Sequence, residues 1–212
     1  MSKLKLEQSS NDSNRNLILI SGKVGVGKDT FADCVEKYFE SQQMGVYRQS
    51  MAGILKSVCV DLINIFVESG DTMTLEKLEG LKDSSEEYVK TKNMREILYS
   101  VSLILKQRIP NLWVKIFMEN WEKGKVGVVP DVRFDELEAF IRLTESEDVV
   151  IHHIIVEGEV RNRDYSEVGN GVQTVKRVES SKIYKNSHET IEEMESGVKV
   201  FMDNLLLKKT EV

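Results

Sequence analysis

The sequence predicts an α/β domain, a doubly wound parallel sheet flanked by helices, and three observations carry that expectation. Residues 17–30 read Leu-Ile-Leu-Ile-Ser-Gly-Lys-Val-Gly-Val-Gly-Lys-Asp-Thr, a short apolar run that breaks into a glycine-rich loop and resumes as a helix. Further apolar runs at 126–129 and 149–156 alternate with amphipathic stretches, the order that builds parallel sheets. Finally, 212 residues, 41% hydrophobic and 30% charged, suffice to bury one full core. Residues 16–212 therefore read as a single domain, behind a polar arm at 1–15 that is rich in Ser and Asn and expected to be disordered.

The first of these stretches also carries chemistry. Gly22, Gly27 and Lys28 have the G-x-x-x-x-G-K spacing of a phosphate-binding loop, with Gly25 between them. Glycines let backbone N–H groups curl around a polyphosphate, the lysine reaches the outer phosphates, and the following helix adds its positive end. Asp29 stands where Ser or Thr usually offers a hydroxyl to magnesium, and Thr30 comes one place later. Either Thr30 takes over that duty or the metal is held mainly through water. The alternative is a ligand-free turn, which the order strand, loop, lysine, helix disfavours.

Composition narrows the partners. A net charge of −6 argues against a broad nucleic-acid surface while permitting arginines clustered in a cleft. Cys34 and Cys59 lie in apolar helical patterns and read as buried thiols of a reducing compartment. No stretch has the ~18 apolar residues of a membrane span, and the N-terminus lacks a signal peptide's apolar region, so the expectation is cytoplasmic with no membrane partner.

Taken in order, Phe31, Cys34, Val35, Tyr38 and Phe39 recur at helical spacing to about residue 42, where Gly45 closes the element, and 46–50 is a candidate strand. A helix follows over about 52–67, with Lys56 near its start. Residues 68–93 carry many charges and read as helical between 75 and 88, either a mobile flap or a solvated helix. The stretch 94–106 is amphipathic, with Arg95 in its first turn and Ile97, Leu98, Val101, Ile104 and Leu105 facing inward, and Pro110 lies just beyond. Helices are also expected at 112–121 and 135–144. A polar loop at 157–173 holds Arg161 and Arg163, residues 182–184 form a last short strand, and Thr190-Ile-Glu-Glu193 opens a final helix to about 207 as a capping box.

Ligands of open parallel sheets bind beyond the carboxyl ends of the strands. That rule gathers Gly22 to Thr30, Asp131 and Arg133 into one crevice. Asp131 is placed to orient magnesium water or a substrate hydroxyl, or is a strand-end turn residue. Arg133 either pairs with Asp131 or clamps a phosphate. Arginine in a first helical turn opposes the helix dipole, so Arg95 either meets an anion or lies on the surface. Arg161 and Arg163 suit a lid over about 157–174, or a solvated loop. His152 and His153 are adjacent on a strand and point to opposite faces, so they cannot share a metal, and His188 also reads as structural. What remains is phosphoryl transfer by positioning and charge, without a covalent intermediate.

At these residues the sequence resembles the phage-type deoxynucleoside monophosphate kinases, a branch of the P-loop nucleoside monophosphate kinases. The resemblance runs in order through Gly27-Lys28-Asp29-Thr30 with Ala32-Asp33, Met51 to Lys56, the Arg95 helix, Trp113-Val114-Lys115, Val128 to Arg133, Ser166 to Gly169, and Asn186 with Thr190 to Glu193. It implies a P-loop NTPase fold with a lid loop and a helical acceptor-binding region at about 52–123. It further implies a monomeric or homodimeric enzyme that moves the γ-phosphoryl of ATP, with Mg2+, to a deoxynucleoside 5′-monophosphate. Lys28 would bridge the donor phosphates and Thr30 would serve the magnesium shell. Lys56, Arg95 and Arg133 would hold the acceptor phosphate, with Tyr99 and Trp113 also in the acceptor site, and Arg161 and Arg163 would be lid residues. The family's arginine helix continues with Gln and then Gly-Thr, where this chain has Tyr99 and Ser102-Leu103. Tyr99 would then offer a base one hydroxyl and a stacking face, or else lie in the core. Animal-type phosphomevalonate kinases share a similar loop and an Asp-x-Arg after the corresponding strand, and a nucleotide-binding regulatory protein without turnover is a third reading.

Overall fold

Leu17, Ile18, Leu19 and Ile20 alternate between the two faces of one strand, yet all four are fully buried, so that strand needs cover on both sides. In the computed structural model, which describes residues 15–66, 72–82, 93–159, 181–188 and 190–207, this is strand β1 (Arg15–Gly22) at the centre of a sheet. The others are β2 (Val46–Arg48), β3 (Val126–Val129), β4 (Val149–Gly158) and β5 (Lys182–Asn186), all parallel, in the order β2-β3-β1-β4-β5. Seven helices are described: α1 (Lys28–Ser41), α2 (Met51–Phe66), α3 (Leu75–Lys82), α4 (Met94–Arg108), α5 (Leu112–Asn120), α6 (Phe134–Thr144) and α7 (Ile191–Leu207).

On one face, Ile18 and Ile20 pack with Phe31, Val35 and Phe39 of α1 and with Met194, Val198 and Met202 of α7. On the other, Leu17 and Leu19 meet Met51 and Ile54 of α2, Trp113 and Phe117 of α5, and Leu137 and Phe140 of α6. This is the three-layer arrangement expected of a doubly wound sheet. A third cluster, Cys59, Met73, Leu78, Met94 and Leu98, joins α2, α3 and α4 and contains no strand residue. The helical region expected at about 52–123 thus divides, with α5 on the sheet and α3 and α4 on the satellite cluster.

The chain runs outward from β1 to β2, returns to insert β3 between them, then crosses to β4 on the far side. The direction of winding reverses between β1 and β3. Their carboxyl ends, Gly22 and Val129, open the crevice there, and the Val132 N–H donates to the Ile20 carbonyl at 2.9 Å across it.

Several boundaries differ from expectation. Arg15, assigned to the arm, belongs to β1: its guanidinium lies 3.8 Å from the Trp121 ring centroid and donates to the Trp121 carbonyl at 3.0 Å. Strand β2 ends at Arg48 because Ser50 turns to cap α2, its Oγ accepting the Gly53 N–H at 2.8 Å. Ile104, expected to face inward, is 58% exposed. Cys34 and Cys59 are buried and unpaired, and the Thr190 hydroxyl accepts the Glu193 N–H at 3.2 Å as the capping box requires. Residues 1–14, 83–88 and 160–174, where the arm, the end of the charged helix and the lid were expected, lie outside the described residues. Among the described helices none is long and apolar enough to cross a membrane.

Candidate functional site

The loop after β1 owes its path to glycine. Gly25 and Gly27 have φ of 83° and 86°, left-handed values that side-chain-bearing residues rarely adopt. A Cβ on Gly22 would stand 2.5 Å from the Val156 carbonyl oxygen of β4. Val26 is buried in the core and anchors the loop's middle. Gly27 starts α1 without a side chain to cap it, and its carbonyl accepts the Phe31 N–H at 2.9 Å. The first N–H groups of α1 have no carbonyl partner within the helix, the condition that lets a helix start receive an anion.

Lys28 folds back so that its Nζ donates to the Lys23 carbonyl at 2.7 Å. Burial pushes its pKa down, and the Asp29 and Asp131 carboxylates push it back up. Asp131, beyond the adjacent strand β3, therefore shares one electrostatic neighbourhood with the loop. Its own pKa is raised by burial, against two backbone N–H bonds that favour the carboxylate, and it feels both Asp29 and Arg133.

Those two bonds change the reading of Asp131. Oδ1 accepts the Met51 N–H at 2.8 Å and Oδ2 the Ala52 N–H at 3.0 Å, so the carboxylate caps α2 from a distant part of the chain. The expected metal-facing or hydroxyl-orienting group is first a structural anchor, although each oxygen keeps a lone pair. Arg133 is exposed at the start of α6, where its backbone N–H donates to Glu136 at 3.0 Å. Glu136 is buried and accepts the Lys106 ammonium at 3.1 Å. A cavity of about 200 Å³ lies beside this pair, lined also by Pro110, Trp113 and Asp135.

The residues expected to hold an acceptor are dispersed. Trp113 is 3% exposed and packs in the sheet core, so its main duty is structural. Lys56 is ion-paired with Glu79 of α3. Arg95 lies exposed in the first turn of α4, whose N-terminus is closed by Asn93 and Glu96 in a reciprocal capping box at 3.0 and 3.1 Å. Tyr99 is 68% exposed, which removes the core alternative for it. Gly22, Gly25, Gly27, Lys28, Asp29, Thr30, Asp131 and Arg133 are brought together, whereas Lys56, Arg95 and Tyr99 sit on the helices of the satellite cluster. Arg161 and Arg163 lie outside the described residues.

Three features escaped the sequence reading. Arg48, at the end of β2, pairs with Asp33 and Glu36 and so ties β2 to α1. The Asn186 amide at the end of β5 donates to the Val26 carbonyl of the phosphate loop at 2.9 Å. His153 bridges the Ser21 hydroxyl (2.7 Å from Nε2) and the Ser181 hydroxyl (2.7 Å from Nδ1), and burial pushes its pKa down to about 4. The Asp33 and Glu36 spacing on one helix face hinted at a cationic partner. Asn186 stood in the motif that carries the resemblance, but no local signal pointed to its partner or to those of His153. Among the described residues no group of His, Cys, Asp and Glu could hold a metal by itself.

No family model and no curated protein matches the chain. Among solved structures it is similar to the Mycobacterium tuberculosis APS kinase CysC in complex with AMPPNP and APS, with 13% identity over 90% of this chain and 98% of that one and a TM-score of 0.47. It is also similar to a gluconokinase from Sinorhizobium meliloti (13% identity, 92% and 98% covered, TM-score 0.42) and to a sugar kinase from Janibacter sp. (10% identity, 90% and 95% covered, TM-score 0.42). At such scores the functional reading rests on the loop and the strand ends.

Proposed function

We propose that this chain is a kinase that transfers the γ-phosphoryl group of ATP to a deoxynucleoside 5′-monophosphate. The observation that carries the proposal is the glycine loop of residues 22–28, placed with Asp131 and Arg133 where the winding of the sheet reverses. The choice of acceptor rests on the ordered motifs shared with the phage-type enzymes, from Met51 through Asn186.

In this reading the N–H groups of the loop and of α1 receive the donor phosphates, and Lys28 leaves the Lys23 carbonyl to meet the outer ones. Thr30 supplies a hydroxyl and Asp131 a carboxylate, an all-oxygen set that suits Mg2+, with Asp131 acting through its remaining lone pairs or through water. Magnesium, when bound, supplies charge neutralisation on the donor phosphates. The acceptor phosphate is already ionised near neutral pH, with a second pKa of about 6, so its oxygen attacks without a general base. One P–O bond to the γ-phosphorus forms as the bond to ADP breaks. Arg133 is the acceptor clamp at the crevice mouth, Arg95 a second cation on α4, and Lys56 must exchange Glu79 for phosphate to join them. Tyr99 presents its ring to the base, and Arg161 and Arg163 neutralise the transferring group from a lid.

Initial rates of ADP release with dTMP, dGMP, dCMP, dAMP and phosphomevalonate test the proposal. Release that depends on an added deoxynucleoside monophosphate is expected. Turnover of phosphomevalonate alone overturns the acceptor, and tight MgATP binding with no turnover on any acceptor makes the chain a nucleotide-binding protein.

A further inference from the structure

A phosphate loop turns its N–H groups inward to an anion, which leaves its carbonyls pointing outward into the protein, where each needs a donor. For Val26, the loop's buried residue, that donor is the Asn186 amide at 2.9 Å, reaching over from the carboxyl end of β5. Room for Asn186 is made on two sides. A Cβ on Gly27 would stand 2.8 Å from its Nδ2, and a Cβ on Gly158, the last residue of β4, 2.8 Å from its backbone carbonyl oxygen. Three separate segments are thus fitted around one amide. In the same side chain, Asn186 Oδ1 is buried with no hydrogen-bond partner among the described residues. Rotating the amide would satisfy nothing, since it would set Oδ1 against the Val26 carbonyl. The side chain is thus oriented with its donor, and not its acceptor, on the loop.

We propose that Asn186 is a positioning residue that holds the phosphate loop in its anion-binding shape before nucleotide arrives. It touches no phosphate itself. By fixing the Val26 carbonyl outward it fixes the adjoining peptide units, so donor binding does not have to order the loop. Removing the clamp should therefore weaken MgATP binding more than it slows the chemical step. The inference rests on reading residues 22–28 as an anion loop, and the test separates the two.

Two variants and two readouts suffice. Asn186→Ala removes the donor, and backbone hydrogen exchange of residues 22–28, measured without nucleotide, should accelerate by about fivefold or more relative to β1, the scale of one hydrogen bond. Asn186→Asp offers a donor only when protonated, and its carboxylate form repels the Val26 carbonyl. Its Kd for MgATP by calorimetry should approach the wild-type value at about pH 5 and weaken by about tenfold or more towards pH 8, while the wild type changes far less. Unchanged exchange in the Ala variant, or a pH-independent Asp variant that binds like wild type, overturns the inference. If the wild type binds no MgATP, the anion-loop reading fails and the exchange measurement alone decides the clamp. Should the Asp variant not fold, Asn186→Ala supplies both the exchange rate and the Kd.

Discussion

The side of the crevice proposed for the donor and the side proposed for the acceptor are built on different principles. Around the phosphate loop every segment is tied to the sheet: Gly22 closes on Val156, Val26 enters the core, Asn186 holds the loop's outer face, and Asp131 fastens α2 to the end of β3. Helices α3 and α4, proposed above to bear the acceptor, rest instead on Cys59, Met73, Leu78, Met94 and Leu98, with the Lys56–Glu79 pair between α2 and α3. On α4, Tyr99, Leu103 and Ile104 are exposed. A donor site binds one invariant triphosphate and gains from rigidity, whereas an acceptor site supported by a small, sheet-independent cluster can be altered without disturbing the fold.

The largest effect should come from testing that contrast in the two cores. Phe140→Ala in the sheet core is expected to cost about 3–5 kcal/mol in chemical denaturation. Leu98→Ala in the satellite cluster should cost about 2–3 kcal/mol and raise the acceptor KM, leaving the KM for ATP unchanged. Equal changes in both KM values for Leu98→Ala would erase the distinction. Next in size is Lys28→Ala, where kcat should fall about a hundredfold or more, ~3 kcal/mol, with the melting curve unaltered because the side chain contributes no core packing. Retention of more than about a tenth of wild-type kcat would remove the loop as donor site.

A smaller effect is set by pH on the donor side. His153 titrates at about 4, below the ordinary histidine value of 6.5, because it is buried neutral between two serines. The unfolded chain then takes up a proton that the folded chain refuses. Stability should be complete above about pH 6.5 and fall by no more than about 3 kcal/mol on the way to pH 4. Asp131 and Glu136, both raised by burial, work in the opposite sense as pH rises through their folded values. His153→Gln should flatten the histidine's share in urea denaturation followed across that range, and an unchanged slope would place the loss elsewhere. The smallest effect is at Tyr99. Tyr99→Gln should shift relative rates among dTMP, dGMP, dCMP and dAMP by less than about tenfold, since an exposed ring exchanges stacking for amide hydrogen bonds. An unchanged profile would leave Tyr99 without contact to the base.

The strand, loop and helix of residues 17–41 were legible because their signals are local: four consecutive apolar residues, glycines at fixed spacing, a lysine. The position of Asp131 was legible for the same reason. Its partners were not, because the Met51 and Ala52 N–H groups lie about eighty residues away and only the folded chain brings them near. The resemblance implied an acceptor-site Trp113, and the folded chain buries that ring in the sheet core at the edge of the cavity beside Lys106 and Glu136, a placement set by residues far along the chain. Ile104, expected to face inward, and Tyr99, for which a core place was one alternative, are both exposed, since helical spacing gives a face and not its cover. Asn186 stood in a recognised motif, yet its hydrogen bond to the loop joins residues 160 apart in the chain.

Strand β1 sits between β3 and β4, and neither partner begins before residue 126. During synthesis the first strand to emerge must therefore wait, its Leu-Ile-Leu-Ile run unpaired, until more than half of the chain has been made. The Val26 clamp cannot close until residue 186 has been made. Nascent chains of this protein should accordingly be prone to self-association through that run and dependent on holdase chaperones until late in translation, and the loop of residues 22–28 should be among the last parts to mature.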